Sequence, residues 1–459
     1  MGTRHTKAAA AFIKDKEKAE WHDNALWGVR VKRDKISKSI PEWEQLRETA
    51  SEIKRQTLSN LDEYLERFIS NARANGIIVH RAADADEFNA IVLDILRSND
   101  VKKLVKSKSM LTEECEMNPY LEENGIEVVE TDLGERIIQY LGQRPSHIVM
   151  PAIHLTQEEV GELFEEKLGS EKGNSDPAYL TYCARKSLRN EFMTADAGLT
   201  GANFGIAETG EFVICTNEGN ADMCTSIPKL HIAAMGIEKV IPDLKSLAVF
   251  HRLLARSATG QPTTTFTSHF KRPRKGCEIH IVLVDNGRSS MLADERHWQT
   301  LKCIRCGACM NTCPVYRRSG GHSYSYIIPG PIGINLGMFK DGRRYNDNVS
   351  ACSLCCSCDN VCPVKVNLSE QIYMWRQKLD EIGKAPLMKK AMGTGMKFVF
   401  DRPNLYNAVL KYPPVINAAL GIADSMGMNL WGKGRKMPKF ANESFHQMWK
   451  NGKIVKDDE

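Results

Sequence analysis

Residues 303–314 read CIRCGACMNTCP, and residues 352–363 read CSLCCSCDNVCP. Both stretches follow the spacing C-x2-C-x2-C-x3-C-P. A gap of two residues lets three thiolates of one tight loop reach three corners of a compact iron–sulfur cubane, while the fourth thiolate must come from a more distant part of the chain. The paired runs therefore predict an α-helical, ferredoxin-like module that holds two [4Fe-4S] clusters.

In two-cluster ferredoxins, the fourth cysteine of each run binds the cluster of the other run. Carried onto this sequence, the rule gives two ligand sets, each drawn from both runs. One set is Cys303, Cys306, Cys309 and Cys362, and the other is Cys313, Cys352, Cys355 and Cys358. The two clusters would then lie close enough to exchange electrons.

Other uses of cysteine fit the spacing less well. A zinc ribbon spaces two C-x2-C pairs well apart and needs neither a third cysteine nor the trailing proline. A disulfide framework suits a short exported chain, whereas this one has 459 residues. Cys356 fits no ligand spacing, so we interpret it as a neighbour of the cluster, with substitution for a ligand left open.

Composition restricts the class of protein. The chain is 42% hydrophobic and carries a formal net charge of +5, with acids and bases intermixed, so nothing in it calls for a nucleic-acid partner. The first thirty residues lack the apolar core of a signal peptide, and no apolar run is long enough for a transmembrane segment. Fourteen cysteines favour a reducing compartment. We therefore expect a cytoplasmic protein.

The order of apolar runs predicts the remaining architecture. Between residues 41 and 75 apolar residues recur at helical spacing. Short apolar runs at 77–79, 103–105, 126–129 and 147–150 then alternate with helical stretches, which is typical of an α/β domain with a largely parallel sheet. We expect a helical segment over 1–75, an α/β domain over 76–295, the ferredoxin-like module over 296–385 and a helical or extended tail over 386–459.

A glycine-rich segment, residues 198–210, is the best candidate for a second site. Glycines let the backbone approach a ligand closely, and polar side chains accompany them. The candidate residues are Thr200, Gly201, Asn203, Gly205, Glu208, Thr209, Gly210, Asn217 and Glu218. The alternative is that the glycines only form tight turns, which the polar side chains cap.

Several blocks together resemble a known family, the iron–sulfur subunit (LutB, also called YkgF) of the bacterial lactate-utilisation system. These blocks lie at residues 106–110, 131–135, 145–148, 151–154, 201–210, 216–220, 320–322 and 329–331. The resemblance covers roughly residues 30 to 385 and is weakest in the tail. It implies an N-terminal lactate-utilisation (LUD) domain, similar in fold to cyclo-ligases and CoA-transferases. It also implies LutA-like and LutC-like partners in a complex that oxidises L-lactate to pyruvate.

Lactate oxidation releases two electrons, usually as a hydride, whereas a cubane accepts one electron at a time. The chain contains no convincing G-x-G-x-x-G dinucleotide fingerprint after a strand. We therefore interpret the chain as an electron-transfer subunit with no catalytic residue of its own. The alternative is a transferase or ligase-like enzyme, with Glu208 as nucleophile or base and clusters that regulate it.

Histidines and lysines outside these motifs favour structural interpretations. His147 and His154 are expected to be structural residues at a strand end, and His322 either hydrogen bonds to a cluster sulfur or is solvated. Lys106 and Lys108 are expected on an exposed face, with contact to an anion as the alternative. We assign no role to His269.

Overall fold

The computed structural model describes residues 4–381, 387–410, 417–418, 421–422, 441 and 443–453. The chain divides into two compact units, Met1–Lys378 and Leu379–Glu459. All of the strands and both cysteine runs belong to the first unit. Much of the tail predicted over 386–459 lies outside the described residues.

In the part of the chain that the structure describes, ten strands form two sheets. They are β1 (Ile78–Ala82), β2 (Lys103–Lys106), β3 (Glu127–Glu130), β4 (Ala197–Gly201), β5 (Phe204–Ile206), β6 (Phe212–Thr216), β7 (Leu230–Gly236), β8 (Val240–Ile241), β9 (Phe266–Phe270) and β10 (Glu278–Val284). The six-stranded sheet has the order β1-β10-β7-β4-β2-β3, and all of its pairs are parallel. The four-stranded sheet has the order β8-β5-β6-β9 and is mainly antiparallel. The predicted α/β architecture with a largely parallel sheet is confirmed.

The helices of the first unit cover the sheets and carry the cysteine runs. They are α1 (Arg4–Phe12), α2 (Lys16–Lys38), α3 (Trp43–Ser59), α4 (Leu61–Ala74), α5 (Ala85–Ser98), α6 (Met110–Glu114), α7 (Met117–Glu123), α8 (Leu133–Leu141), α9 (Gln157–Leu168), α10 (Pro177–Thr194), α11 (Asn220–Ser226), α12 (Leu244–Ala258), α13 (Arg288–Leu292), α14 (Ala308–Thr312), α15 (Pro314–Ser319), α16 (Gly330–Asp341), α17 (Asp347–Ala351), α18 (Ser357–Val361) and α19 (Leu368–Glu381). Short 3-10 helices lie at Ile237–Lys239, Trp298–Lys302 and Gly321–Ser323.

The second unit contains α20 (Leu387–Phe400), α21 (Pro403–Val409) and α22 (Phe445–Lys450). Among the described residues, we find no helix with the length and apolar character needed to cross a membrane.

The large sheet is buried on both faces because its strands are apolar on both sides. Side chains of successive strand residues point to opposite faces. Leu104 joins the core formed with α5, whereas the next residue, Val105, packs with Phe192 of α10 on the other face. Leu104 and Val105 are both fully buried. Helices therefore cover both faces, as a parallel sheet requires.

One of the predicted strands is wrong. Residues 147–150 form a bent loop, in which the His147 side chain takes up backbone donors that a strand would use. Its Nδ1 accepts from the N–H groups of Val149, at 3.0 Å, and Met150, at 3.1 Å. A side chain that accepts hydrogen bonds from nearby backbone N–H groups competes in this way with the backbone hydrogen bonds between strands.

The carboxyl ends of the large sheet contain a topological switch point. From β2 the chain continues to β3 on one side of the sheet, and from β4 it continues to β7 on the other side. A crevice opens between adjacent strands whose connections diverge, and ligands of open parallel sheets bind there. The sequence KSKSM runs from the end of β2 through the loop after it to the start of α6, and the loop after β4 contains part of the glycine-rich segment.

Candidate iron–sulfur site and adjoining cavity

The two cysteine loops have the same local geometry. In the first loop, Arg305 and Gly307 adopt positive φ angles of 60° and 75°. In the second loop, Leu354 and Cys356 occupy the corresponding positions, with φ angles of 54° and 58°. Cys356 thus stands where the first loop has a glycine, and its side chain is exposed.

The fold brings the eight cysteines of the repeated spacing into two groups. One cavity is lined by Cys303, Cys306, Cys309 and Cys362, which we call the inner group. Cys313, Cys352, Cys355 and Cys358 interact electrostatically with one another, and we call them the outer group. Each group draws three cysteines from one run and one from the other. The two groups adjoin, because Cys358 of the outer group also interacts electrostatically with Cys309 of the inner group.

The donor set of each group suits an iron–sulfur cubane. Burial raises the pKa of Cys306 to about 12, and the neighbouring cysteines Cys362 and Cys303 add to the shift. Four thiolates gathered in such a place need a cationic centre to balance them, and sulfur ligands alone select soft metal centres or iron–sulfur clusters. Backbone N–H groups also face the sulfurs. Arg305 donates to Cys303 at 3.4 Å, and Leu354 donates to Cys352 at 3.3 Å.

The two groups differ in exposure. In the inner group Cys306, Cys309 and Cys362 are buried, and Cys303 is half-buried. In the outer group Cys355 is exposed and Cys352 is half-buried. The outer group therefore reaches the protein surface at Cys355.

The N-terminal helices fasten the cysteine loops. Arg33 of α2 donates to the carbonyl oxygen of Val361 at 3.1 Å. Arg47 of α3 donates to the carbonyl oxygens of Cys362, at 2.9 Å, and Asp359, at 3.1 Å. Sequence reasoning missed both arginines, because each lies on an amphipathic helix among many charges and contacts residues about three hundred positions away. No local signal identifies such a contact.

Buried side chains join the cysteine loops to the α/β part. His147 Nε2 lies 3.0 Å from the Asn311 side-chain oxygen. The Tyr316 hydroxyl donates to the Ser146 carbonyl oxygen at 2.6 Å. His154 bonds Ser146 and Gln143, so both predicted structural histidines have structural partners. His322 Nε2 lies 2.8 Å from the Arg144 carbonyl oxygen.

Lys106 is not on an exposed face, contrary to our expectation. Its side chain is fully buried and forms ion pairs with Glu130 at 2.5 Å and Glu113 at 3.0 Å. The carboxylate oxygens of Glu113, Glu130 and Glu135 lie within 4.8 Å of one another. Burial, reinforced by the charges of Glu130 and Glu113, raises the pKa of Glu135 well above its ordinary value. Lys108, by contrast, is partly exposed and pairs with Asp132 at 3.0 Å.

A cavity of about 310 Å³ lies at the switch point, and the inner group borders it. Of the nine candidate residues of the glycine-rich region, Gly201, Asn203, Asn217 and Glu218 line this cavity. Its other polar lining includes residues that sequence reasoning passed over, namely Lys239 and Arg305. Arg305 could have been identified from the sequence, because it lies inside the first cysteine run.

The other five candidates lie outside the cavity lining. The Thr200 hydroxyl bonds His231 Nε2 at 2.8 Å in the interior, and a Cβ on Gly205 would collide with the side chain of Met235. Glu208 is exposed in the turn between β5 and β6, and Thr209 and Gly210 follow it there. Gly210, with φ +71°, packs against the backbone of α4.

Models of two protein families match the chain, and they define its class. The LUD domain matches residues 65–290, and the 4Fe-4S dicluster domain matches residues 299–366. The chain is therefore an iron–sulfur protein that combines a LUD domain with a ferredoxin-like module.

Known proteins resemble the chain along most of its length. Lactate utilization protein B of Geobacillus thermodenitrificans is 42% identical over 435 residues, which are 92% of this chain and 91% of that protein. The protein named "Uncharacterized electron transport protein YkgF" of Escherichia coli is 39% identical over 439 residues, or 93% and 92% of the two chains. The chain belongs to the lactate utilization protein B family. A crystal structure of a DUF162 family protein from Deinococcus radiodurans covers 49% of this chain and 98% of its own, with 15% identity and a TM-score of 0.28.

Proposed function

We propose that this chain is the electron-transfer subunit of a complex that oxidises L-lactate to pyruvate, and that it holds two [4Fe-4S] clusters. The observation that carries the proposal is the arrangement of eight cysteines in two adjoining groups, each built from both runs. The inner group would bind one cluster and the outer group the other, with the fourth ligands exchanged as in two-cluster ferredoxins. The names of the relatives support the connection with lactate.

The direction of electron flow follows from exposure. The inner group borders the cavity of the α/β part, whereas the outer group reaches the surface at Cys355. We infer that electrons enter at the inner cluster, pass to the outer cluster and leave near Cys355. Two clusters that hold one electron each match the two electrons of one lactate.

The chain would work with LutA-like and LutC-like partners in the cytoplasm. The absence of a dinucleotide fingerprint in the sequence supports partners that supply the hydride-accepting step. We also propose that the α/β part shares its fold with cyclo-ligases and CoA-transferases, which its parallel sheet supports, and that the domain division predicted from sequence holds. Glu208, which is exposed and lies outside the cavity lining, is not part of the site that we propose.

The test of the clusters is iron and sulfide analysis of anaerobically purified variants, together with low-temperature EPR. The unmodified chain should hold about eight irons. The double variant C306A/C362A changes one ligand set and should keep about four irons, whereas C306A/C313A changes both sets and should keep almost none. If C306A/C362A instead loses both clusters while C306A/C313A keeps one, the exchanged ligation is wrong.

Cys356→Ala is the matched control, because Cys356 lies in the same loop and outside both groups. It should retain about eight irons. For the activity, the pure chain should fail to reduce a dye with L-lactate, and adding LutA-like and LutC-like proteins should restore the reaction. Turnover of lactate by the pure chain would refute the assignment as a non-catalytic subunit.

A further inference from the structure

The cavity at the topological switch point lies between the loops that follow β2 and β4. Both loops line it, the first through Ser107 to Leu111 and the second through Gly201 to Asn203. A Cβ on Gly201 would come within 2.8 Å of the Ser109 side chain, so the two loops can approach this closely only because residue 201 is glycine. The shape of the cavity thus depends on the glycine at the end of β4.

One wall of the cavity is apolar, and it continues into the first cysteine loop. It contains Ile148, Val149, Leu254, Ala258 and Ile304. Cys306 of the inner group lines the cavity as well. A molecule that fills the cavity would therefore pack its apolar part directly beside the inner cluster. A cavity of about 310 Å³ falls at the lower end of the range for small-molecule and cofactor sites.

Most of the charged lining groups already pair with one another. Arg288 pairs with Glu238 at 2.6 Å and with Glu114 at 3.0 Å, and Lys108 pairs with Asp132. Two cationic groups remain incompletely paired among the described residues. The half-buried Lys239 side chain forms no hydrogen bond or ion pair with them; the negative charges that act on it are those of Glu238, which already pairs with Arg288, and Cys303. Arg305 reaches Glu114 through Nη2, but its buried Nη1 has no hydrogen-bond partner.

A cation that is partly withdrawn from water and incompletely paired can bind an anion at low cost, so such groups mark places where an anion binds. The cavity also contains one carboxylate outside these pairs, that of Glu218. Glu218 lies at an exposed position, where water and salt screen its charge. Its Oε2 moreover accepts the backbone N–H of Leu133. Lys239 and Arg305 are therefore the cationic groups of the cavity that remain available to bind an anion.

We propose that this cavity binds a small organic anion, held through its carboxylate or phosphate by Lys239 and Arg305, with its apolar part against Ile304 beside the inner group. The inference deepens the proposed function and rests on it, because the inner cluster gives the site its redox partner. Two sources share this chemistry: a short 2-hydroxy or 2-oxo acid and a phosphorylated ring compound such as a flavin mononucleotide.

The experiment is calorimetric titration of the anaerobic full-length protein, loaded with iron, with L-lactate, pyruvate, flavin mononucleotide and inorganic phosphate in separate arms. At least one organic anion should bind saturably and change the EPR spectrum of the reduced protein. Phosphate alone should bind more weakly, because it leaves the apolar wall unused. The arm that saturates identifies the source of the anion.

Variants at Lys239 make the test specific. Lys239→Gln should weaken binding on the order of 10-fold or more, since it removes a charged hydrogen bond in a partly enclosed site. Lys239→Arg should restore most of the affinity, and Lys245→Gln, at an exposed position, should change nothing. Iron content must stay equal across all variants.

The outcomes separate this inference from the proposed function. Absence of saturable binding by all four probes, or binding that Lys239→Gln leaves unchanged, overturns the inference even when the protein carries its full iron content. A preparation that contains no iron overturns the proposed function instead. Binding of an organic anion to such a preparation, if Lys239→Gln weakens it, would still locate the anion at Lys239.

Discussion

Replacing Arg47 by alanine tests whether the N-terminal helices hold the cysteine loops in place. The Arg47 side chain is 8% exposed, and its guanidinium donates to the carbonyl oxygens of Cys362 and Asp359. A hydrogen bond from a charged donor contributes about 1.5–3 kcal/mol. We take the lower value for each bond, because the one to Asp359 is only part-buried. The loss is then about 3 kcal/mol, or roughly 100-fold in the equilibrium for opening the Cys362 loop.

The assay is the rate of iron release to a chelator under anaerobic conditions. When local opening and closing are fast, such a rate follows the opening equilibrium, so it should rise about 100-fold in Arg47→Ala. Arg55→Ala is the matched control. Arg55 lies on the same helix, its side chain is 55% exposed, and its one partner among the described residues is Glu52. An exposed pair contributes about 0–1 kcal/mol, so the control should change the rate by no more than about fivefold. Equal rates for the two variants would refute the reasoning.

Three further predictions concern the α/β part. Gly210→Ala should lower the midpoint of guanidinium denaturation far more than Gly125→Ala does. Both glycines have a positive φ, but only a Cβ at residue 210 would collide with a backbone nitrogen, at 2.2 Å. Equal midpoints for the two variants would contradict this reasoning. Lys106→Met leaves the buried Glu130 without its cation and should destabilise the fold by about 3–5 kcal/mol, measured by chemical denaturation, whereas a loss below about 1 kcal/mol would argue against the pair. The pKa of Glu135 is higher in the folded state, so the folded protein keeps a proton on this carboxyl that the unfolded chain releases. The free energy of unfolding should therefore fall as the pH rises above the ordinary carboxyl pKa. Glu135→Gln should make the free energy of unfolding less dependent on pH, as measured by denaturation curves at several pH values.

The sequence predicts the sheet and the cysteine grouping because both depend on short-range patterns. Alternating apolar runs identify β1, β2 and β3, and the fixed cysteine spacing identifies the eight sulfurs. The cavity between the β2 and β4 loops was predicted only in part. Gly201 and Asn203 were found through the glycine-rich texture, whereas Lys239 enters from a short helix after β7 that has no motif of its own.

Residues whose environment depends on tertiary structure escaped prediction. Lys106 looks like an exposed strand-end lysine, yet its partner Glu130 is brought beside it by the pairing of β2 with β3. The run at 147–150 has the composition of a strand, but a single side chain, His147, takes its backbone donors. The Lys106–Glu130 pair depends on strand pairing, and the His147 ring also contacts Asn311, far along the chain, so neither outcome follows from the local sequence alone.

The unequal exposure of the two cysteine groups has a consequence for damage by oxygen. Oxidants reach accessible sulfurs first, and Cys355 is exposed while Cys306 and Cys309 are buried. Air should therefore destroy the outer cluster before the inner one and leave a half-loaded intermediate. Such a molecule would still accept an electron at the inner cluster but could not pass it on. Oxidative damage would therefore first abolish electron transfer in a chain that is still folded.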